Sequence, residues 1–367
     1  MHLLHVVGAR PNFVKAAPVL RAFAKRGFQQ TLVHTGQHYD TSMSEVFFRQ
    51  LEMPSPDVNL EVGSGSHAQQ TAEVIARFEP VVLDRKPDLV IVYGDVNSTL
   101  AAALVSSKLG IRIAHVEAGL RSGDRTMPEE INRLLTDQLA DLLFTPSADA
   151  DVNLIREGID PGKVHRIGNV MIDSVVSFLG QTGNPPIPDQ RYALVTLHRP
   201  SNVDDVPWLR QILTMLSELS RDLVIMFPVH PRTRHRIADL GLSTLSNGRL
   251  RFTDPAPYVE FLHLQRHAMF VITDSGGIQE ETTFLGIPCL TIRDNTERPI
   301  TVTHGTNILV GRDLHRLRQE IRRILDGEIK TPLPIPLWDG HAAERIAHAV
   351  SSNLTLPSCP RLMPIPG

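Results

Sequence analysis

The sequence predicts an α/β protein built from two Rossmann-like, doubly wound domains. Three observations predict it. Short β-branched apolar runs recur at residues 3–7, 89–93, 111–116, 193–197, 223–227, 270–273 and 288–292. Such runs read as strands buried on both faces of a parallel sheet. Longer segments with helical patterning separate them, the alternation of doubly wound sheets. The chain has 367 residues, too long for one ordinary core and suited to two.

The first run leads into Gly8-Ala9-Arg10-Pro11-Asn12-Phe13-Val14-Lys15. The glycines of a dinucleotide fingerprint are missing, so this is not a nicotinamide site. The turn instead places Arg10 and Lys15 near a strand end, where either suits a diphosphate. A lone Lys is more often plain surface charge. The run 89–93 precedes Asp95, which could equally cap the helix signalled by Val96-Asn97-Ser98-Thr99. The run 111–116 precedes Glu117. Next, Ile131, Leu134, Leu135, Leu139 and Leu142 fall on one helical face, and Pro128, Glu129 and Glu130 suit the start of that helix. Residues 180–190 are a loop by composition.

In the second half, 193–197 precedes His198 and Arg199, and 223–229 precedes His230. The run 270–273 precedes Asp274-Ser275-Gly276-Gly277-Ile278-Gln279-Glu280-Glu281. That is a strand, a glycine turn and a helix N-terminus, whose free amides and dipole favour an anion. Glu281, one turn into the helix, could accept from ribose hydroxyls or be a solvated carboxylate. The proline-rich stretch 357–367 cannot be regular helix or central strand.

Hydrophobic residues are 42% and charged residues 21%, with net charge −3. Nothing in that balance suggests a nucleic-acid or membrane-surface partner. No run of 18 apolar residues occurs. Two cysteines, Cys289 and Cys359, fit a reducing cytoplasm rather than a disulfide framework. His34 and His38 have i, i+4 spacing, but no Glu follows His34, so no metal site is expected. Gly63-Ser64-Gly65-Ser66 reads as a flexible loop.

Polar residues with chemical capability thus follow predicted strands six times. Ligands bind at that edge of an open α/β sheet, so the six positions point to one site between two facing domains. Asp95, Glu117 and Glu129 supply carboxylates and His198 an imidazole, the set needed to move a proton on carbon.

Taken in order, these residues resemble the non-hydrolysing UDP-N-acetylglucosamine 2-epimerases, nearly end to end. The resemblance rests on Gly8-Ala9-Arg10-Pro11, Thr35-Gly36-Gln37-His38, Tyr93-Gly94-Asp95, the stretches 115–121 and 128–133, Leu197-His198-Arg199, Pro228-Val229-His230, the stretch 274–281, and Arg293 through Pro299. It implies the GT-B architecture, with a first domain at 1–168, a hinge near Gly168-Asn169, and a UDP-binding domain at 169–350. Residues 351–367 would be a tail that is disordered or returns to the first domain.

It also implies catalytic roles for Asp95, Glu117, Glu129 and His198. UDP contacts fall to Arg10, His198, Phe261 beside uracil, Ser275, Gly276, Gly277 and Glu281, with Lys15 joining the substrate-binding set. The family's reaction eliminates UDP to a 2-acetamidoglucal and adds it back, needing neither cofactor nor metal. A cytoplasmic homodimer serving cell-surface polysaccharide synthesis would follow.

The sequence departs from the family at two points. Asn12 stands where many members have Glu, and the stretch 37–43 lacks an Arg found where some bacterial members bind an activating UDP-sugar. The alternatives are a hydrolysing epimerase, an epimerase of a modified aminosugar such as a diacetamido-uronate, a GT-B glycosyltransferase and a non-enzymatic nucleotide-sugar sensor.

Overall fold

The computed structural model describes residues 1–36, 48–180 and 190–353, the side chain of Arg232 excepted. It divides into two compact units, Met1–Val176 with Pro336–Gly367, and Ser177–Ile335. The division falls inside the helix Val170–Leu179, a few residues beyond Gly168-Asn169. His38, most of the loop 180–190, Cys359 and the stretch 357–367 lie outside the described residues.

The first unit holds a sheet of β1 (His2–Val7), β2 (Gln29–His34), β3 (Val58–Asn59), β4 (Leu89–Tyr93), β5 (Arg112–Val116), β6 (Leu142–Thr145) and β7 (Val164–Arg166). Their order is β3-β2-β1-β4-β5-β6-β7, and every pair is parallel. Every residue of β4 is buried, as a central strand covered on both faces requires. Val6, Val33, Phe78, Val90 and Val92 form part of its core. The strand order reverses between β1 and β4, so the loops after these strands diverge and open a crevice.

The second unit repeats the scheme with β8 (Tyr192–Thr196), β9 (Val224–Pro228), β10 (Leu250–Thr253), β11 (Val271–Thr273), β12 (Cys289–Thr291) and β13 (Asn307–Leu309). The order is β10-β9-β8-β11-β12-β13, again parallel throughout. Leu209, Ile212, Phe227, Phe270 and Ile272 are among its fully buried residues. Here the reversal lies between β8 and β11.

The chain returns to the first unit at Pro336. The helix Ala342–Asn353 packs on the helix Arg10–Lys25. Its N-terminus is capped by Asp173, which accepts from the amides of Ala342 at 3.0 Å and Ala343 at 2.7 Å. Burial pushes the Asp173 carboxyl up to about 6 against those hydrogen bonds. Gly168, at φ +87°, lies so close to the Leu337 carbonyl that any Cβ would collide with it.

One sequence expectation needs correction. The helix Pro128–Leu139 ends before Leu142, which belongs to β6. Its inward face is not the apolar stripe: Glu130, Asn132, Arg133, Thr136 and Asp137 are buried, while Leu135 is 46% exposed. The polar face turns inward because buried charges there have partners. The stretch Gly63-Ser64-Gly65-Ser66 is a loop here too, and it ends on a helix cap, where Ser66 Oγ accepts from the Gln69 amide at the head of the helix His67–Arg85.

Candidate active site

In the first unit, the residues after β1, β4 and β5 converge. Gly8 lies against Ser98, and Asn12 ties the turn together. Its side-chain oxygen accepts from the amides of Gly8 (3.1 Å) and Ala9 (3.2 Å), while its nitrogen donates to the Tyr93 carbonyl at the end of β4 (2.8 Å). Asn12 is thus a strut between two strand-end loops. Arg10 opens the helix Arg10–Lys25 and is half-buried.

Lys15 is not surface charge. It is 5% exposed, and its Nζ meets Glu117 Oε1 at 2.7 Å. Glu117 has φ +76°, a left-handed conformation that costs a non-glycine residue roughly 1–2 kcal/mol. Such conformations persist where surrounding contacts over-determine them, and they cluster at functional sites.

Asp95 does not cap a helix. Val96 is the N-cap of Asn97–Lys108, with no side-chain cap. Instead the Asp95 carboxylate pairs with Arg133, whose other arm reaches Glu130 at 2.5 Å. Glu130 also accepts from the amides of Ser122 (3.0 Å) and Gly123 (2.9 Å). Asn132 donates to the Asp95 carbonyl at 2.9 Å. The polar face of the helix Pro128–Leu139 therefore sets Asp95 from beneath. Glu129, on the same helix, is half-buried and takes no part in that network.

Deeper still, His115 places Nδ1 2.6 Å from Asp137 and Nε2 2.8 Å from the Gly94 carbonyl. The ring is thus held at both ends between the Asp137 carboxylate and the Gly94 carbonyl. Burial would raise the Asp137 carboxyl, but His115 and Arg121 outweigh it and hold Asp137 below the usual range.

In the second unit, His198 follows β8, and Asp274 follows β11 across the strand-order reversal. Asp274 is fully buried and lies 2.8 Å from His198 Nδ1. Ser275 is the N-cap of the helix Gly276–Leu285, with its hydroxyl unused in capping. A Cβ at Gly276 would press on the side-chain ends of Arg298 and Glu297, which would have to shift to admit it. Those two residues belong to a buried quartet. Arg298 meets Glu280 at 3.0 Å and pairs with Glu297, which meets Arg293 at 2.6 Å. Two cations and two anions leave the quartet neutral, so it braces the helix start without repelling an anion there.

Glu281 is not a solvated carboxylate. It is 3% exposed and accepts from Gln265 at 2.6 Å and Tyr258 at 3.0 Å. Burial pushes it up to about 7 despite both hydrogen bonds. Phe261, from the helix Tyr258–His267 that also carries Gln265, is half-buried against the same unit's core. His230 follows β9 and is exposed.

Sequence reasoning found the strand-end residues but missed their supports, namely Arg133, Asp137, Asn202 and the role of Asp274. Arg133 and Asp274 lie inside stretches the sequence singled out, yet nothing local names their partners. Among the described residues, no group of three or more His, Cys, Asp or Glu is placed to hold a metal ion. Among those residues, too, no helix is long and apolar enough to cross a membrane.

Comparison with known proteins gives a consistent result. A family model described as UDP-N-acetylglucosamine 2-epimerase matches residues 21–351. A UDP-N-acetylglucosamine 2-epimerase of Methanocaldococcus jannaschii is 42% identical over 364 residues, spanning 96% of this chain and 99% of its own. A UDP-2,3-diacetamido-2,3-dideoxy-D-glucuronate 2-epimerase of Pseudomonas aeruginosa is 43% identical over 357 residues, spanning 95% of this chain and 98% of its own. A crystal structure of the M. jannaschii UDP-GlcNAc 2-epimerase, in complex with UDP-GlcNAc and UDP, matches with a TM-score of 0.87 at 40% identity, over 96% of this chain and 100% of that one. By fold, by strand-end residues and by these matches, the chain belongs to the UDP-N-acetylglucosamine 2-epimerase family.

Proposed function

We propose that this protein is an isomerase that interconverts UDP-N-acetylglucosamine and UDP-N-acetylmannosamine without hydrolysing them. The observation that carries this reading is the pair of strand-end carboxylates, Asp95 and Glu117, each held by a buried cation. A glycosyltransferase has less need of such a set.

The C2 proton of this sugar is not next to a carbonyl, so simple deprotonation is unfavourable. Elimination avoids that obstacle. The C1–O bond breaks with its electron pair leaving on UDP, the C2–H pair becomes the C1–C2 double bond, and the proton passes to a carboxylate. Readdition of UDP with protonation on the other face restores the sugar. Asp95, Glu117 and Glu129 carry the proton transfers. The diphosphate goes to Arg10, Lys15, His198 and the amides at Ser275, Gly276 and Gly277, which stabilise its departing charge. Glu281 takes the ribose and Phe261 flanks the uracil. No nicotinamide or metal enters these steps.

Incubation with UDP-N-acetylglucosamine in heavy water tests the reading by NMR. Deuterium is expected at C2 of both epimers, with little free hexosamine. Turnover without exchange, or stoichiometric release of N-acetylmannosamine, would overturn it. The Pseudomonas relative favours a second reading, in which the substrate is a modified UDP-aminosugar. Parallel assays with UDP-2,3-diacetamido-2,3-dideoxyglucuronate decide between the two by kcat/KM.

We further propose a cytoplasmic homodimer serving polysaccharide synthesis. The outward apolar stripe of the helix Pro128–Leu139, with Leu135 exposed, is consistent with a partner, and light scattering would show the mass.

A further inference from the structure

We propose that Asp274 is a positioning residue that fixes which nitrogen of His198 holds the ring's first proton: Nδ1 keeps its hydrogen against the carboxylate, and Nε2 is the nitrogen that takes up the second proton, with which the ring donates to the diphosphate. The proposal rests on the reading above, in which His198 serves the departing and returning UDP.

Donor and acceptor bookkeeping leaves one solution. The Trp208 indole N–H can only donate, and it lies 3.1 Å from Asn202 Oδ1. The Asn202 side chain is therefore oriented with Nδ2 toward its other neighbours. Its two hydrogens go to the Ile292 carbonyl at 3.1 Å and to Asp274 Oδ2 at 3.0 Å. The same Oδ2 accepts from the Arg199 amide at 2.9 Å, and both carboxylate oxygens lie 3.1–3.2 Å from the His198 amide.

Asp274 is thus surrounded by donors, and an ionised carboxylate only accepts. Burial alone would raise its carboxyl, but the His198 ring, Asn202 and the Arg199 amide outweigh burial and hold it below the usual range. Its Oδ1 stands 2.8 Å from His198 Nδ1, so Nδ1 carries the hydrogen. Nε2 is left on a side chain that is 52% exposed, while Asp274, Asn202 and Trp208 are buried. Two arms of donors therefore converge on the carboxylate, indole through amide on one side and the imidazole Nδ1–H on the other, and Nε2 is left as the ring nitrogen open to ligand.

The competing explanation is that Asp274 merely pins the loop 198–202 by its amides. Asp274→Asn keeps the volume and separates the two. Its side-chain nitrogen can donate to Nδ1, which moves the ring proton to Nε2. Nitrogen-15 NMR of histidine-labelled protein, at a pH where the ring is neutral, should show the Nδ1–H form of His198 in the unmodified protein and the Nε2–H form in Asp274→Asn. A misoriented histidine in this arrangement costs on the order of 10²–10⁴-fold in turnover. That loss is expected in Asp274→Asn, with UDP affinity altered far less. In a His198→Gln background the same change should cost little further, because the residue it acts through is gone.

An Nε2–H ring in the unmodified protein would overturn the proposal, even if Asp274→Asn failed to fold. So would an Asp274→Asn loss of equal size with and without His198. If the protein shows no epimerase turnover, the reaction assignment fails, while the tautomer and the UDP affinities still decide the role of Asp274.

Discussion

The two units hold their chemistry in opposite ways. In the first, each strand-end carboxylate faces a cation brought by a helix: Glu117 meets Lys15, and Asp95 meets Arg133. In the second, the chemical groups stand on backbone amides and on one buried acid, and Glu281 has two neutral donors in place of a cation. The difference fits the tasks proposed for them. Groups that exchange protons benefit from neighbours that fix their geometry and charge. A nucleotide site instead needs donors left free and anions kept in check.

The largest expected effect strikes the first unit. Asp95→Asn and Glu117→Gln should fold and bind UDP, yet lose about 10²–10⁴-fold in turnover, roughly 3–5.5 kcal/mol of barrier. Steady-state kinetics beside UDP calorimetry checks this, and near-normal turnover in either variant would make that ion pair purely structural.

Next, Arg133→Met should lower stability. It leaves the buried Glu130 and the partly buried Asp95 without their shared cation, and breaking a buried pair costs about 3–5 kcal/mol. Urea denaturation measures it, and a neutral result would mean the two acids do not depend on Arg133.

The second unit should respond more gently and in binding. Ser275→Ala and Glu281→Gln should each weaken UDP by about 1.5–3 kcal/mol, the worth of one hydrogen bond to a charged group. Unchanged calorimetric affinity in both would move the nucleotide elsewhere.

The smallest effect is one of pH. Glu281 lies at about 7 in the folded protein against an ordinary value of 4.5. For an acid raised in this way, its contribution to stability is full below 4.5 and is lost as pH rises toward 7. Binding runs in the other direction, because ribose hydroxyls favour the ionised acceptor. UDP affinity should therefore fall as pH drops through about 7, by at most about tenfold per unit, and Glu281→Gln should flatten that profile.

The strand ends were legible from sequence because a buried parallel strand is an uninterrupted apolar run, and the first polar residue after it lies at the sheet's edge. The partners were not legible. Lys15 and Glu117 are 102 residues apart, and His198 and Asp274 are 76 apart, so no local pattern joins them. The inward face of the helix Pro128–Leu139 was hidden for a related reason. Its apolar stripe is real, but the inward face was decided by Asp95, Ser122 and Gly123, whose contacts only the fold reveals. Lys15 likewise carries no mark in the sequence that separates a buried ion pair from a solvated charge.

The return of the chain at Pro336 bears on how the protein is made. Residues Ser177–Ile335 form a continuous unit, so they can fold as soon as they leave the ribosome. The earlier unit is completed later, because the helix that packs on Arg10–Lys25 and takes its cap from Asp173 follows the second unit in the chain. At about 5–20 residues per second, the wait between residues 176 and 353 is roughly 9–35 s. Through that interval the part of the chain made first stands open along one helix face, with Gly168 and Asp173 awaiting the segment that covers them. A nascent chain arrested with the segment from Pro336 onward still inside the ribosome would therefore complete its second unit and leave its first unfinished.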